Sequence, residues 1–188
     1  MRLAIFGGTF DPVHNAHLAI AREAADRFTL DLVLFVPAAH PPHKHGSTHA
    51  PYADRLRMIE LAIAGDARFQ ASRLEEFTER SYSIDTIERV RATLSPGADL
   101  FFLIGADAFA ELRTWYRWQD VARAVHFLVA SRPGAACAVP EGVRADTIDT
   151  VLLPVSSSDI RRALAEGEHP HVLPPAVLDY ALSRHLYT

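Results

Sequence analysis

Four short runs, apolar but for His126, constrain this chain more than anything else in it: LAIF at 3–6, LVLFV at 32–36, LFFLI at 100–104 and VHFLVA at 125–130. A strand with one face in water alternates polar and apolar residues. A run that is apolar almost throughout has both faces covered. Between the runs lie segments of helical character at 15–27, 52–64 and 83–94, the last with Ile84, Ile87, Val90, Arg91 and Leu94 on a 3.6-residue repeat. Shorter strands are expected at 69–72 and 148–153, and two helices close the chain at 158–166 and 175–185, where Pro174 and Pro175 suit a first turn. Strands alternating with helices indicate an α/β fold with a mainly parallel sheet and helices on both faces. The 188 residues suit a single domain spanning 1–188.

The expected architecture, Rossmann-like in its layering, says where function should sit. Ligands of such sheets bind beyond the carboxyl ends of the strands. That singles out the loops 7–17, 37–51, 105–118, 131–134 and 154–161, and the unusual residues fall there. The first reads GGTFDPVHNAH. Gly7 and Gly8 let the backbone approach a ligand closely. A helix starting just beyond them aims free N–H groups and its positive dipole end into the same space, an anion site best suited to phosphate. His14 and His17, three apart, share one helical face and can both donate to phosphate oxygens. The stretch fits neither G-x-G-x-x-G nor G-x-x-x-x-G-K-[ST]. A metal reading of the two histidines lacks a third ligand, and a strand–turn–helix with incidental histidines is the bland alternative.

Three further stretches add to it. PPHKH at 41–45 sets Lys44 among His40, His43 and His45 in a loop (37–51) with four prolines and four histidines, a cationic cover for a polyphosphate or a plain solvated loop. SSSDIRR at 156–162 follows a strand and opens a helix, so its N–H groups and Arg161 make a second anion site, or simply a capped helix. GADAFAELRTW at 105–115 ends a strand at Gly105, with Asp107 able to accept from ribose hydroxyls. Trp115, Tyr116 and Trp118 form an aromatic cluster in that loop region. Trp115 suits stacking on a flat ring, while Trp118 reads as packing. No nucleophile elbow and no convincing carboxylate pair occur. The chemistry expected is direct transfer between two bound substrates, helped by positioning and charge stabilisation.

Bulk properties exclude other classes. Nineteen Lys and Arg against 23 Asp and Glu leave a net charge of −4, which argues against nucleic-acid binding through the overall field. The apolar runs fall short of the roughly 18 residues of a membrane span. MRLAIFGGTF is too short in its apolar part for a signal peptide. One cysteine, Cys137, leaves no intrachain disulfide and fits a cytoplasmic setting.

GGTFDPVHNAH resembles the T/H-x-G-H signature of the nucleotidylyltransferases, most closely that of the bacterial nicotinate-nucleotide adenylyltransferases. PPHK at 41–44, SYSIDT at 81–86, GADAFAELRTW, SRPG at 131–134 and SSSDIR at 156–161 are similar to that family's motifs, in its order and spacing. Ala16 stands where the family usually has glycine, and Ser83 where threonine is commoner. The resemblance implies attack of the nicotinate mononucleotide phosphate on the α-phosphorus of ATP, giving deamido-NAD and pyrophosphate without a covalent enzyme intermediate. It implies catalytic roles for His14, His17, Lys44 and Arg161. It implies an ATP site of Gly7, Gly8, Thr9, Phe10, His14, His17, Gly105, Asp107, Ser157, Ser158, Ile160 and Arg161. Lys44, Asp85, Thr86, Trp115, Tyr116 and Arg132 would surround the mononucleotide. Trp115 would stack on its ring, and N–H groups and a hydroxyl around Thr86 and Tyr116 would meet its carboxylate. Mg²⁺ is implied on the ATP phosphates, held by substrate and water rather than by a protein cage. The substrates are then ATP and nicotinate mononucleotide, with no nucleic acid or membrane partner, and a homo-oligomer is compatible with the chain. Nearby alternatives are adenylyl transfer to nicotinamide mononucleotide or another small acceptor, and a non-catalytic nucleotide-binding regulator on the same fold.

Overall fold

The computed structural model describes residues 1–40, 48–131, 138–149 and 155–188. Six strands form one sheet: β1 Arg2–Gly8, β2 Leu32–Pro37, β3 Phe69–Ala71, β4 Asp99–Gly105, β5 His126–Ser131 and β6 Ala145–Asp149. Their order is β3-β2-β1-β4-β5-β6, and every pairing is parallel. The helices are α1 Asn15–Arg27, α2 Tyr52–Ile63, α3 Ser83–Thr93, α4 Ala106–Ala110, α5 Trp118–Ala124, α6 Ser157–Ala165 and α7 Pro175–Ser183.

The apolar runs are buried on both faces because successive side chains in a strand point to opposite sides. Ala4, Phe6, Val33, Phe35, Phe101 and Leu103 pack with α1, α2, α6 and α7. Their neighbours Leu3, Ile5, Leu34, Val36, Leu100 and Phe102 pack with α3, α4 and α5. The chain winds outward from β1 through β2 to β3, then crosses to β4 on the other side of β1. The topological switch therefore lies between β1 and β4, where the rule for open α/β sheets places a ligand crevice. Gly7 and Gly8 end the strand at that point.

Two expectations need correction. Residues 105–118 are not an open loop: Ala106–Ala110 is helical, Leu112–Thr114 is a 3₁₀ turn, and Trp118 opens α5. Phe109 and Leu112, three apart, are both buried, so even these short turns bring apolar side chains to the core. The last strand begins earlier than its apolar stretch suggests. An edge strand of sequence ADTID needs only one covered face, so its polar residues hide it from a search for apolar runs.

Candidate active site

The segment between β1 and α1 crosses the switch point as a strap held from several directions. Arg55, fully buried on α2, donates from Nη1 to the Thr9 carbonyl at 2.7 Å and from Nε to the Ala50 carbonyl at 3.2 Å. Arg161 donates from Nη1 to the Asp11 carbonyl at 2.8 Å, and Ser157 Oγ donates to the Pro12 carbonyl at 3.1 Å. The buried Asp11 carboxylate accepts the His49 N–H at 2.7 Å, the Ala50 N–H at 3.1 Å and the Tyr187 hydroxyl at 2.7 Å. Phe10 adopts φ 50°, which turns its ring inward against Phe6 and His17. That ring lies so close to Gly8 that a Cβ there would stand 3.0 Å from it. Gly8 is therefore demanded by packing within the chain, and Phe10 can serve a nucleotide only through its backbone.

His14 and His17 stack at 3.7 Å between centroids. His14 caps α1, and its N–H donates to His17 Nδ1 at 3.2 Å. Because that Nδ1 accepts, a neutral His17 carries its proton on Nε2. His14 is buried, and desolvation lowers its pKa to about 4. It is thus a neutral imidazole at pH 7, a hydrogen-bond donor rather than a cation, and its Nδ1 has no hydrogen-bond partner among the described residues.

A pocket of about 340 Å³ opens against the strap. Gly7, Gly8 and Thr9 line one part of it, Tyr82, Ser83 and Thr86 another, and Trp115 and Tyr116 a third. Trp115 is held edge-on to Phe102 at 6.0 Å, and Tyr116 lies over Tyr82 at 4.5 Å. The charged residues among the lining are Glu75 and Glu111. Thr86 donates its hydroxyl to buried Glu75 at 2.6 Å, and both the Thr86 and Asp85 N–H groups turn back to the Tyr82 carbonyl. The hydroxyl expected to meet a ligand carboxylate is therefore committed to Glu75. Asp85 is not part of the lining. The donors at this helix start are the N–H groups of Ser83 and Ile84, which have no partner within the helix.

Beyond the strap, α6 begins with Ser156 as its cap, accepting the Asp159 N–H at 3.1 Å. Arg161 Nη2 donates to Ser158 Oγ at 3.1 Å. Ile160 is buried in the core and its N–H donates to the Ser156 carbonyl, so it serves α6 rather than a ligand. Gly105 has open space where a Cβ would stand, and Asp107 is exposed in the first turn of α4. Lys44, with the PPHK motif, and Arg132, Pro133 and Gly134 of SRPG lie outside the described residues, while Ser131 ends β5. The structure also brings in four residues that reading the sequence did not single out: Asp11, Arg55, Glu75 and Tyr187. Arg55 had a signal, since it interrupts the apolar face Tyr52, Leu56, Ile59 and Ile63. Asp11 stood inside the quoted motif. Glu75 and Tyr187 had no local signal at all.

Residues 5–163 match the cytidylyltransferase-like family. The chain is 68% identical over 187 residues to a probable nicotinate-nucleotide adenylyltransferase of Solibacter usitatus, covering all of both proteins. It is 38% identical over 214 residues to another from Pelobacter propionicus, covering 100% of this chain and 99% of the other. The nicotinic acid mononucleotide adenylyltransferase of Plasmodium falciparum, solved as its complex with NaAD, superposes with a TM-score of 0.81 over 99% of this chain and 97% of that one. At 19% identity that likeness speaks for the fold alone.

Proposed function

Because this chain belongs to the cytidylyltransferase-like family and, within it, to the nicotinate-nucleotide adenylyltransferases, we propose that its strap and pocket together carry adenylyl transfer from ATP to nicotinate mononucleotide. A phosphate oxygen of the mononucleotide attacks the α-phosphorus of ATP in line. The bond from that phosphorus to the bridging oxygen breaks, releasing pyrophosphate and deamido-NAD. The observation that carries this reading is contiguity. One pocket is lined by Trp115 and Thr86 and also by Gly7, Gly8 and Thr9, so a ring against the tryptophan has its phosphate end toward the histidine strap.

In this reading His14 and His17 donate hydrogen bonds to the phosphoryl oxygens as charge builds on them. His14 does so as an oriented neutral donor, since burial holds it uncharged. Arg161 uses one N–H on the Asp11 carbonyl and one on Ser158, leaving further donors of its fork for phosphate. Lys44 and Arg132 supply cationic contacts, and Gly105 and Asp107 meet the adenosine ribose. The pyridinium ring is positively charged, which suits a pocket whose charged lining is Glu75 and Glu111. The carboxylate of the substrate is met by the N–H groups of Ser83, Ile84 and Tyr116. A carboxamide presents an N–H₂ of its own to these donors and is selected against. Mg²⁺ travels on the ATP phosphates in this scheme. That assignment is supported by the donor set: the buried Asp11 carboxylate at the strap is already taken by three protein donors. When bound, the ion offsets phosphate charge. The single cysteine supports a cytoplasmic setting.

The test is pyrophosphate release with ATP and Mg²⁺, comparing nicotinate with nicotinamide mononucleotide. The expected preference for the acid is on the order of 10²-fold, about 3 kcal/mol. Equal use of both would remove the account of the carboxylate donors. Release with neither would remove the reaction.

A further inference from the structure

The last residues of the chain make contacts that the reaction scheme above does not use. After α7 the backbone turns through two left-handed non-glycine residues, His185 at φ 51° and Tyr187 at φ 68°. Such conformations carry a cost and persist where surrounding contacts impose them. What this turn achieves is to bring the Tyr187 hydroxyl to Asp11 Oδ1 at 2.7 Å. Burial and the neighbouring carboxylate push the phenol well above its usual range, so it remains an O–H donor.

Asp11 is the point where the tail meets the site. Its carboxylate is bonded to Tyr187, His49 and Ala50, and its own carbonyl accepts from Arg161 at 2.8 Å. The same tail, His185 to Thr188, lines an open cleft with Arg161, Arg162, Ser158 and His49. No carboxylate side chain lines that cleft, in contrast to the pocket with Glu75 and Glu111. A cleft lined by arginines and histidines suits phosphate, and its position around Arg161 puts it at the ATP side of the strap.

We propose that Tyr187 is a positioning residue for ATP: by holding Asp11 it fixes the strap and the direction in which Arg161 presents its guanidinium to the phosphates. The inference rests on the reading of Arg161 as an ATP ligand. Without the phenol, Asp11 loses one of three donors and its peptide is free to shift. The Arg161 fork, bonded to that peptide, shifts with it. The mononucleotide pocket touches the strap at Gly7, Gly8 and Thr9, not at Asp11, and no tail residue lines it, so the effect should fall on ATP.

The experiment is steady-state pyrophosphate release by Tyr187→Phe, with each substrate varied at saturation of the other, alongside direct ATP binding by calorimetry. Two controls accompany it. Tyr180→Phe removes a comparable hydroxyl, bonded to Asp54 at 2.8 Å, away from the strap. Leu178→Ala trims the packing of α7 but keeps the phenol and lies outside the cleft. Tyr187→Phe is expected to lower kcat/KM for ATP and ATP affinity about ten-fold, the size of effect from losing one hydrogen bond to a charged group. The KM for nicotinate mononucleotide should stay unchanged. Tyr180→Phe should leave all of these unchanged, and Leu178→Ala should lower only thermal stability. The proposal is overturned by unchanged ATP parameters in Tyr187→Phe, by equal losses for both substrates, or by the same ATP loss in either control. Should wild type bind ATP yet release no pyrophosphate with the mononucleotide, the proposed reaction fails, while the ATP affinities still test the tail.

Discussion

Replacing Thr86 with valine separates two tasks that one hydroxyl could perform. The change is nearly isosteric and removes only the O–H that Thr86 donates to Glu75 at 2.6 Å. Both residues are buried, and the other oxygen of Glu75 has no hydrogen-bond partner among the described residues. Thr86→Val therefore strips the carboxylate of its one described hydrogen bond. Bonds to charged groups contribute about 1.5–3 kcal/mol, and this one is at the short, strong end of the range. With a denaturant slope of about 2 kcal/mol per molar urea, the unfolding midpoint should fall by about 1 M. The acid-over-amide ratio in pyrophosphate release should stay near that of wild type, because the donors proposed for the substrate carboxylate are backbone N–H groups, not this hydroxyl. Urea unfolding followed by tryptophan fluorescence reads the first quantity, and parallel kinetics with the two mononucleotides read the second. An unmoved midpoint together with a lost acid preference would refute the reasoning, since the hydroxyl would then serve the ligand and not Glu75.

His14 ties stability to pH. Its folded pKa of about 4 lies below the ordinary 6.5, so between these values the unfolded chain binds more protons and stability rises with pH. The contribution is complete above about pH 6.5 and is lost as pH falls toward 4, amounting to about 3 kcal/mol. Urea unfolding at pH 7.5 and 4.5 should show a smaller decline for His14→Asn than for wild type, and equal declines would sink the assignment. Gly8→Ala forces a methyl to within 3.0–3.3 Å of three Phe10 ring atoms, and that ring is packed against Phe6, His17 and Phe35. Overpacking of this kind costs about 1–3 kcal/mol, and a wild-type melting temperature in Gly8→Ala would show that the ring moves freely.

The legible part of this protein was the part written in local pattern. Continuous apolar runs marked the four central strands, because a strand covered on both faces has no polar side to display. Gly7-Gly8 followed by His14 and His17 marked the strap, because a helix start behind a strand end gathers donors whatever surrounds it. Edge strand β6 and the short turns at 106–114 were less legible, since neither has enough period to stand out from a loop. At Thr86 and Ile160 the motif pointed to two helix starts but not to what the side chains do there, one bonding Glu75 and the other entering the core.

The strands, the switch point they create and the residue types at it follow from the order of residues along the chain. The sequence therefore determined by itself an α/β sheet with a candidate anion site at the end of its first strand. What holds that site in shape was decided only in three dimensions. Arg55 reaches the strap across 46 positions, Arg161 across 150 and Tyr187 across 176. A buried carbonyl or carboxylate must find a donor wherever the fold brings one, and no pattern of neighbours along the chain records which distant residue that will be.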